Sequence, residues 1–246
     1  MLRNLFANIP DVTKNLVILN ALFFLATMVG ESQGMPIQGL LGMFYPSSEL
    51  FEPFQVITHF FMHANFTHIL FNMIGLIVFG SQLERVWGKK RFFIFYFVTA
   101  LGAAILHFLV TGIELHNLTG EWFPDIQAYA ENIRFEGNMI YGEAETLEMY
   151  KQIYGVYHTP VLGASGAVYG LLAAFALLFP NTRMMLLFPP IPIKAKWLAL
   201  GLAAMSLVQA YQNNPNDSIA HFAHLGGMLF GFILIRLWRK DRSNFY

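Results

Sequence analysis

The residues in this chain best suited to chemistry are a serine and a histidine, each set inside an apolar run. Ser165 stands in Gly163-Ala164-Ser165-Gly166 at the opening of one run, and His224 stands in Ala223-His224-Leu225-Gly226-Gly227 near the opening of another. A serine hydroxyl is a weak nucleophile until a base takes its proton, and a neutral imidazole is the side chain most often used for this. Burying either group in apolar surroundings is costly without a partner. A third polar group, His59, His63, His68 and Asn72, leads into a further apolar run. His68 and Asn72 offer hydrogen-bond donors to a developing oxyanion, as does the backbone N–H of Ser165 at a helix N-terminus. No acidic residue occurs near Ser165 or His224 in these runs, so the spacing predicts a Ser–His dyad rather than a triad.

The elements that position these groups are read from composition. The chain of 246 residues is 56% hydrophobic, 16% aromatic and only 12% charged, about half the charge of a typical soluble domain. Apolar stretches fall at roughly 15–30, 66–83, 92–111, 163–180, 196–211 and 219–238. Each is near the ~20 residues that a helix needs to cross a hydrocarbon core. The expected fold is therefore all-α, a polytopic bundle of six membrane spans forming one domain over 1–246, with a long loop at 112–160. The first stretch lacks an A-x-A cleavage site and reads as a retained span. With no cysteine, disulfides and thiolate metal sites are excluded. A net charge of zero without a basic stripe gives no sign of nucleic acid.

Charge sets the orientation. Of the basic residues, all but Arg134 and Lys151 fall on one set of tails and alternate loops, including Arg3, Lys14, Arg85, Lys89, Arg183, Lys194, Arg239 and Arg242. Of the acidic residues, all but Asp11, Glu84 and Asp241 fall on the other. Positive loops face the cytoplasm, so both termini are expected there, with 31–58, 112–160 and 212–218 outside. Pro189, Pro190 and Pro192 mark the inner loop before span five, where a helix must stop. A short surface helix is expected near 139–153.

Spans two, four and six then all run inward from the outer surface, and their polar residues share a depth. At about 1.5 Å per residue, Ser165 lies roughly 6 Å past Val161 and His224 roughly 8 Å past Ile219. Helical spacing puts His68, Asn72 and Gly75 on one stripe, Ser165 and Tyr169 on another, and His224, Gly227 and Gly231 on a third. Small residues on such stripes let membrane helices approach closely. Of the two histidines opening span six, His224 heads the glycine stripe, whereas His221 sits nearer the boundary, so His224 is the expected base.

These motifs together resemble the rhomboid intramembrane serine proteases of the six-helix bacterial type. They comprise H-x-x-x-H-x-x-x-x-H-x-x-x-N from His59 to Asn72, G-x-S-G from Gly163 to Gly166, and A-H-x-G-G-x-x-x-G from Ala223 to Gly231. The resemblance covers roughly 50–240. It implies that Ser165 is the nucleophile and His224 the general base, with Tyr169 packed against His224 and His68 and Asn72 completing an oxyanion hole. It further implies that His59 and His63 brace the outer loop and a water-retention region, and that Glu84 ties the inner ends of helices. Substrates would be transmembrane segments of other proteins in a cell inner membrane, with no cofactor. One departure is Phe54-Gln55, where many bacterial relatives have Trp-Arg.

Other readings are weighed on the same residues. His59 and His63 are four apart, but Phe60, Phe61 and Met62 between them supply no glutamate base, so no metal site is expected. His107, His116 and His158 are expected to be interfacial or exposed. A catalytically silent client-binding relative would typically lack the serine or the histidine. A transporter would spread polar residues across the membrane depth, whereas here they cluster at one end of three spans. Oligomeric state is not readable.

Overall fold

A computed structural model describes residues 8–131, 133–136, 139–186, 190–212 and 221–240. Arg3, Pro189, Asp217, Ile219, Asp241 and Arg242 lie outside the described residues, as do all of 213–220, which include most of the segment 212–218 expected to face outward. So do the side chains of Glu136, Arg239 and Lys240. The chain is a helical membrane bundle. Span one is Asp11–Ser32. Span two starts as Phe66–Gly75, passes through a π turn at Leu76–Gly80, and continues into the helix Ser81–Thr119. That long helix breaks at Gly88, whose φ of 76° and ψ of 168° are non-helical. Span two is therefore 66–87 and span three 89–119. Spans four, five and six are Ser165–Leu178, Ala195–Gln212 and His221–Lys240.

Side-chain contacts fix the relative directions. Gly75 meets Val168 and Phe79 meets Phe175, so spans two and four run the same way. Gly166 and Gly170 face Gly227 and Gly231, which makes span six parallel to span four. Gly166 and Gly170 also face Ala103 and Thr99, which makes span three antiparallel to it. Span one is antiparallel to span two, because Thr13 bonds Glu84 and Thr27 meets Met62.

By length and composition, Asp11–Ser32, the doubled-back Phe66–Thr119 and His221–Trp238 can cross a membrane. Span four has only 14 residues, about 21 Å of helix against a core of about 30 Å. Its shortness has a physical basis. Its apolar residues, including Ala167, Leu171, Leu172, Ala174 and Phe175, are buried among the other helices. Phe60, Phe92, Phe95, Tyr96, Leu76 and Leu171 fill the centre of the core.

Two boundaries differ from the sequence reading. Span three continues past 111 to Thr119, ending at Gly120, whose N–H caps the His116 carbonyl at 2.8 Å. Thr111, Gly112 and Leu115 are buried on its extension, which is why it persists. The outer segment therefore starts at Gly120 and is folded. It comprises a short helix Ile126–Ala130, a hairpin pairing Arg134–Glu136 with Met139–Tyr141, and a helix Ala144–His158. A second core of Tyr45, Leu115, Ile153 and Tyr157 holds this cap on the bundle. At the inner side, Pro192 opens a strand, and Arg183–Met185 pairs antiparallel with Pro192–Lys194.

Candidate active site

The turn before span four shapes the site. Gly163 has a φ of 113°, in the region L-residues avoid. A Cβ there would lie 2.8 Å from Cε1 and 2.9 Å from Nε2 of His68. Glycine is thus needed both for the bend and for room beside the His68 ring. The Gly163 N–H donates to the His59 carbonyl at 2.8 Å, and Met43 and Val161 exchange backbone hydrogen bonds of 3.1 and 2.8 Å. The outer loop and the approach to Ser165 are therefore one hydrogen-bonded unit.

Span four begins at Ser165, and its first N–H groups have no intrahelical acceptor. Across from it, Gly227 sits directly against the Gly166 carbonyl, and any Cβ at Gly227 would collide with that backbone. This approach brings Ser165 Oγ and His224 Nε2 to 3.0 Å. Tyr169, one turn below Ser165, stacks on His224 with ring centroids 4.0 Å apart and planes within 6°. The His221 ring lies 6.2 Å from that of His224; the serine hydroxyl faces His224.

The span-two groups converge on the same place. Asn65 caps that helix, its side chain accepting from the His68 N–H at 2.9 Å. His68 Nδ1 accepts from the Ala64 N–H at 3.4 Å, while its other ring edge faces Gly163. Because Gly75 touches Val168 and the helices are parallel, Asn72 lies one turn earlier, level with Ser165. Asn72 is buried and donates one amide hydrogen to the His68 carbonyl at 2.9 Å; the amide carries a second donor.

Supporting residues fall into two groups. His59 and His63 are buried beneath the outer loop, with Nδ1 bonded to the carbonyls of Gln55 at 2.7 Å and Phe61 at 3.2 Å. The His63 ring is 5.0 Å from that of His68. Glu84, at the inner end, accepts from Val12 N at 2.9 Å, and from Thr13 N and Thr13 Oγ1 at 2.8 Å each. It thereby occupies the N-terminus of span one, where a carboxylate is favoured.

Several contributors were not read from the sequence. Gln55 is 1% exposed. Its Oε1 accepts from Phe44 N at 3.4 Å and Glu52 N at 3.1 Å, and its Nε2 donates to the carbonyls of Leu40 at 3.2 Å and Leu50 at 3.0 Å. A neutral amide thus ties the outer loop, while Phe54 is 45% exposed. Tyr157 links three segments: its hydroxyl donates to the Pro124 carbonyl and accepts from Ser47 Oγ, and its own carbonyl accepts from Ser48 Oγ, each at 2.7 Å. Burial raises the Tyr157 phenol above its ordinary range. Of the unassigned histidines, His116 stacks on Trp122 and His158 on Tyr154. His107 is half-buried, with its Nδ1 enclosed.

The family model for the Rhomboid domain matches residues 50–120 and 135–240. The chain belongs to the rhomboid family. It is 29% identical over 236 residues to RHOMBOID-like protein 12, mitochondrial, of Arabidopsis thaliana, covering 96% of this chain and 60% of that protein. It is 28% identical over 193 residues to Rhomboid protein 1, mitochondrial, of Saccharomyces cerevisiae, covering 77% of this chain and 44% of that protein. A bacterial relative is the Rhomboid protease AarA of Providencia stuartii, 24% identical over 180 residues, with 70% of this chain and 51% of that protein covered. The chain thus spans about half the length of these relatives.

Proposed function

We propose that this chain is an intramembrane serine endopeptidase that hydrolyses peptide bonds in or near transmembrane segments of other membrane proteins. The observation that carries this reading is the 3.0 Å contact between Ser165 Oγ and His224 Nε2 at the start of a buried helix inside an apolar bundle. In the reaction, His224 Nε2 takes the Ser165 proton as Oγ bonds to the substrate carbonyl carbon. The resulting oxyanion is met by the free Asn72 amide hydrogen, the His68 ring and the Ser165 N–H. Collapse breaks the C–N bond, and the leaving amine takes the proton from His224. Water, activated by the same imidazole, then hydrolyses the acyl-serine and restores the hydroxyl.

The segregation of basic and acidic residues supports an inner cell membrane location with both termini cytoplasmic and Ser165 opening toward the outer side. The test reconstitutes the full chain in liposomes with a model transmembrane substrate and compares Ser165→Ala and His224→Ala. Each variant is expected to lose cleavage by at least about a thousandfold. Unchanged cleavage in Ser165→Ala would sink the proposal. Substrate retention without any cleavage by the wild type would instead support a client-binding role.

A further inference from the structure

Span three ends at Gly120, where a φ of 79° turns the chain off the helix. The chain then doubles back along the helix it has just left. The Trp122 ring stacks on His116, with ring centroids 5.0 Å apart and planes at 10°. A Cβ at Gly112 would lie 3.3 and 3.5 Å from Cε3 and Cζ3 of the same ring. The Trp122 carbonyl accepts from the Tyr45 hydroxyl at 3.2 Å, which ties this turn to the second core. Counted from Ile105, the positions Leu109, Gly112 and His116 fall at i+4, i+7 and i+11, one stripe of a helix. Ile105 and Leu109 are exposed, and in a membrane bundle such a stripe faces lipid. Trp122 therefore takes over the upper end of that stripe. It is not itself covered: Trp122 is 46% exposed and the neighbouring Phe123 62%. Glu121 and Asp125, both exposed, bracket the pair.

We propose that Trp122 and Phe123 form a membrane-contact surface of the cap, seated in the lipid interface at the end of the bundle that holds Ser165. Two observations commit the patch to lipid. It continues a stripe that already faces lipid, so a bilayer that surrounds span three meets the two rings as well. The carboxylates on either side set its depth. Taking either one into hydrocarbon is costly, so the rings stop where acyl chains give way to headgroups. An indole, with an apolar body and a single N–H donor, is favoured at that level. The cap is thus held twice, on one side by its core of Tyr45, Leu115, Ile153 and Tyr157, and from below by the bilayer. This inference stands apart from the proteolytic reading.

The chain has no cysteine, so Phe123→Cys carries a nitroxide label at one place with no other change. The labelled full chain is reconstituted in phosphatidylcholine vesicles. Collision rates of the nitroxide are measured with oxygen, which concentrates in the bilayer, and with a water-soluble nickel chelate. Ile105→Cys, on the lipid-facing stripe, and Glu148→Cys, exposed on the cap helix Ala144–His158, set the two ends of the scale. Circular dichroism checks the helix content of each variant. The oxygen-to-nickel ratio at 123 is expected to be at least about threefold above that at 148, and below that at 105. Trp122 is read separately, from the emission lost on Trp122→Phe. That emission should be quenched more by lipids brominated near the headgroup end of the chain than by those brominated near its methyl end. A ratio at 123 equal to that at 148, or no bromolipid quenching of the Trp122 emission, overturns the proposal. Spin–spin broadening at 123 would put a second copy of this chain on the patch and overturn it as well.

Discussion

Two polar clusters sit at opposite ends of the bundle and are built in opposite ways. At the inner end, both oxygens of Glu84 are engaged by span one, through two backbone N–H groups and the Thr13 hydroxyl. At the outer end, the Ser165–His224 contact is a single hydrogen bond, held by close backbone approach at Gly227 and a stacked tyrosine. Asn72 there keeps a second amide hydrogen beyond the one it donates to His68. The inner cluster pairs the carboxylate with donors and locks two helices. The outer one sets a hydroxyl on an imidazole nitrogen beside an asparagine amide that carries a second donor. In a membrane, polar groups need internal partners, and the inner cluster supplies them to a carboxylate from the first turn of span one.

The sharpest way to break this contrast is at Gly227. Gly227→Val must push spans four and six apart, because its Cβ would strike the Gly166 backbone. Cleavage is expected to fall at least about a hundredfold, measured on the folded, purified fraction. Gly201, on span five, has open space where a Cβ would point, with nothing within 4 Å, and Gly201→Ala should leave cleavage unchanged. At the inner end, Glu84→Ala removes three hydrogen bonds and is expected to cost about 2–4 kcal/mol. It should lower the thermal midpoint while cleavage per folded molecule stays within about twofold. Should Glu84→Ala abolish cleavage without loss of stability, the division of roles fails.

The outer loop sharpens the comparison with smaller effects. Gln55→Ala takes the side-chain partner from four backbone groups, one of them in a fully buried bond, and should cost about 2–3 kcal/mol, whereas the exposed Phe54→Ala should stay within about 0.5 kcal/mol. Parallel melting curves of the two variants check this order; an equal or reversed order would move the anchor to Phe54. Smallest of all, Tyr157→Phe loses the hydroxyl links to Ser47 and Pro124 and is expected to cost about 1 kcal/mol. Its effect should appear as faster proteolytic nicking of the 120–160 cap.

How much of this was legible in the sequence depends on the kind of signal. Helical spacing placed His68 with Asn72, Ser165 with Tyr169, and His224 with Gly227 and Gly231, because each set needs only the 3.6-residue period. Charge alternation gave spans two, four and six a common direction, which the contacts of Gly75, Gly166 and Gly227 reproduce. The cap between spans three and four was harder to read. Its fold depends on Tyr157 meeting Ser47 and Ser48 across more than a hundred residues, and no local period marks such a meeting. The extension of span three to Thr119 was hidden for the same reason, since its buried face packs under that cap. Gln55 was named only as a departure, and its anchoring role was not legible because one polar residue carries no pattern of its own; its partners Phe44, Glu52, Leu40 and Leu50 reveal it.

The central claim is that Ser165 is a nucleophile activated by His224. The most direct measurement treats the bilayer-embedded chain with a fluorophosphonate and locates the adduct by peptide mass. The account predicts one adduct, on Ser165, formed at least about a hundredfold more slowly in His224→Ala and absent in Ser165→Ala. An adduct on another residue, or labelling of Ser165 at an unchanged rate without His224, would contradict it.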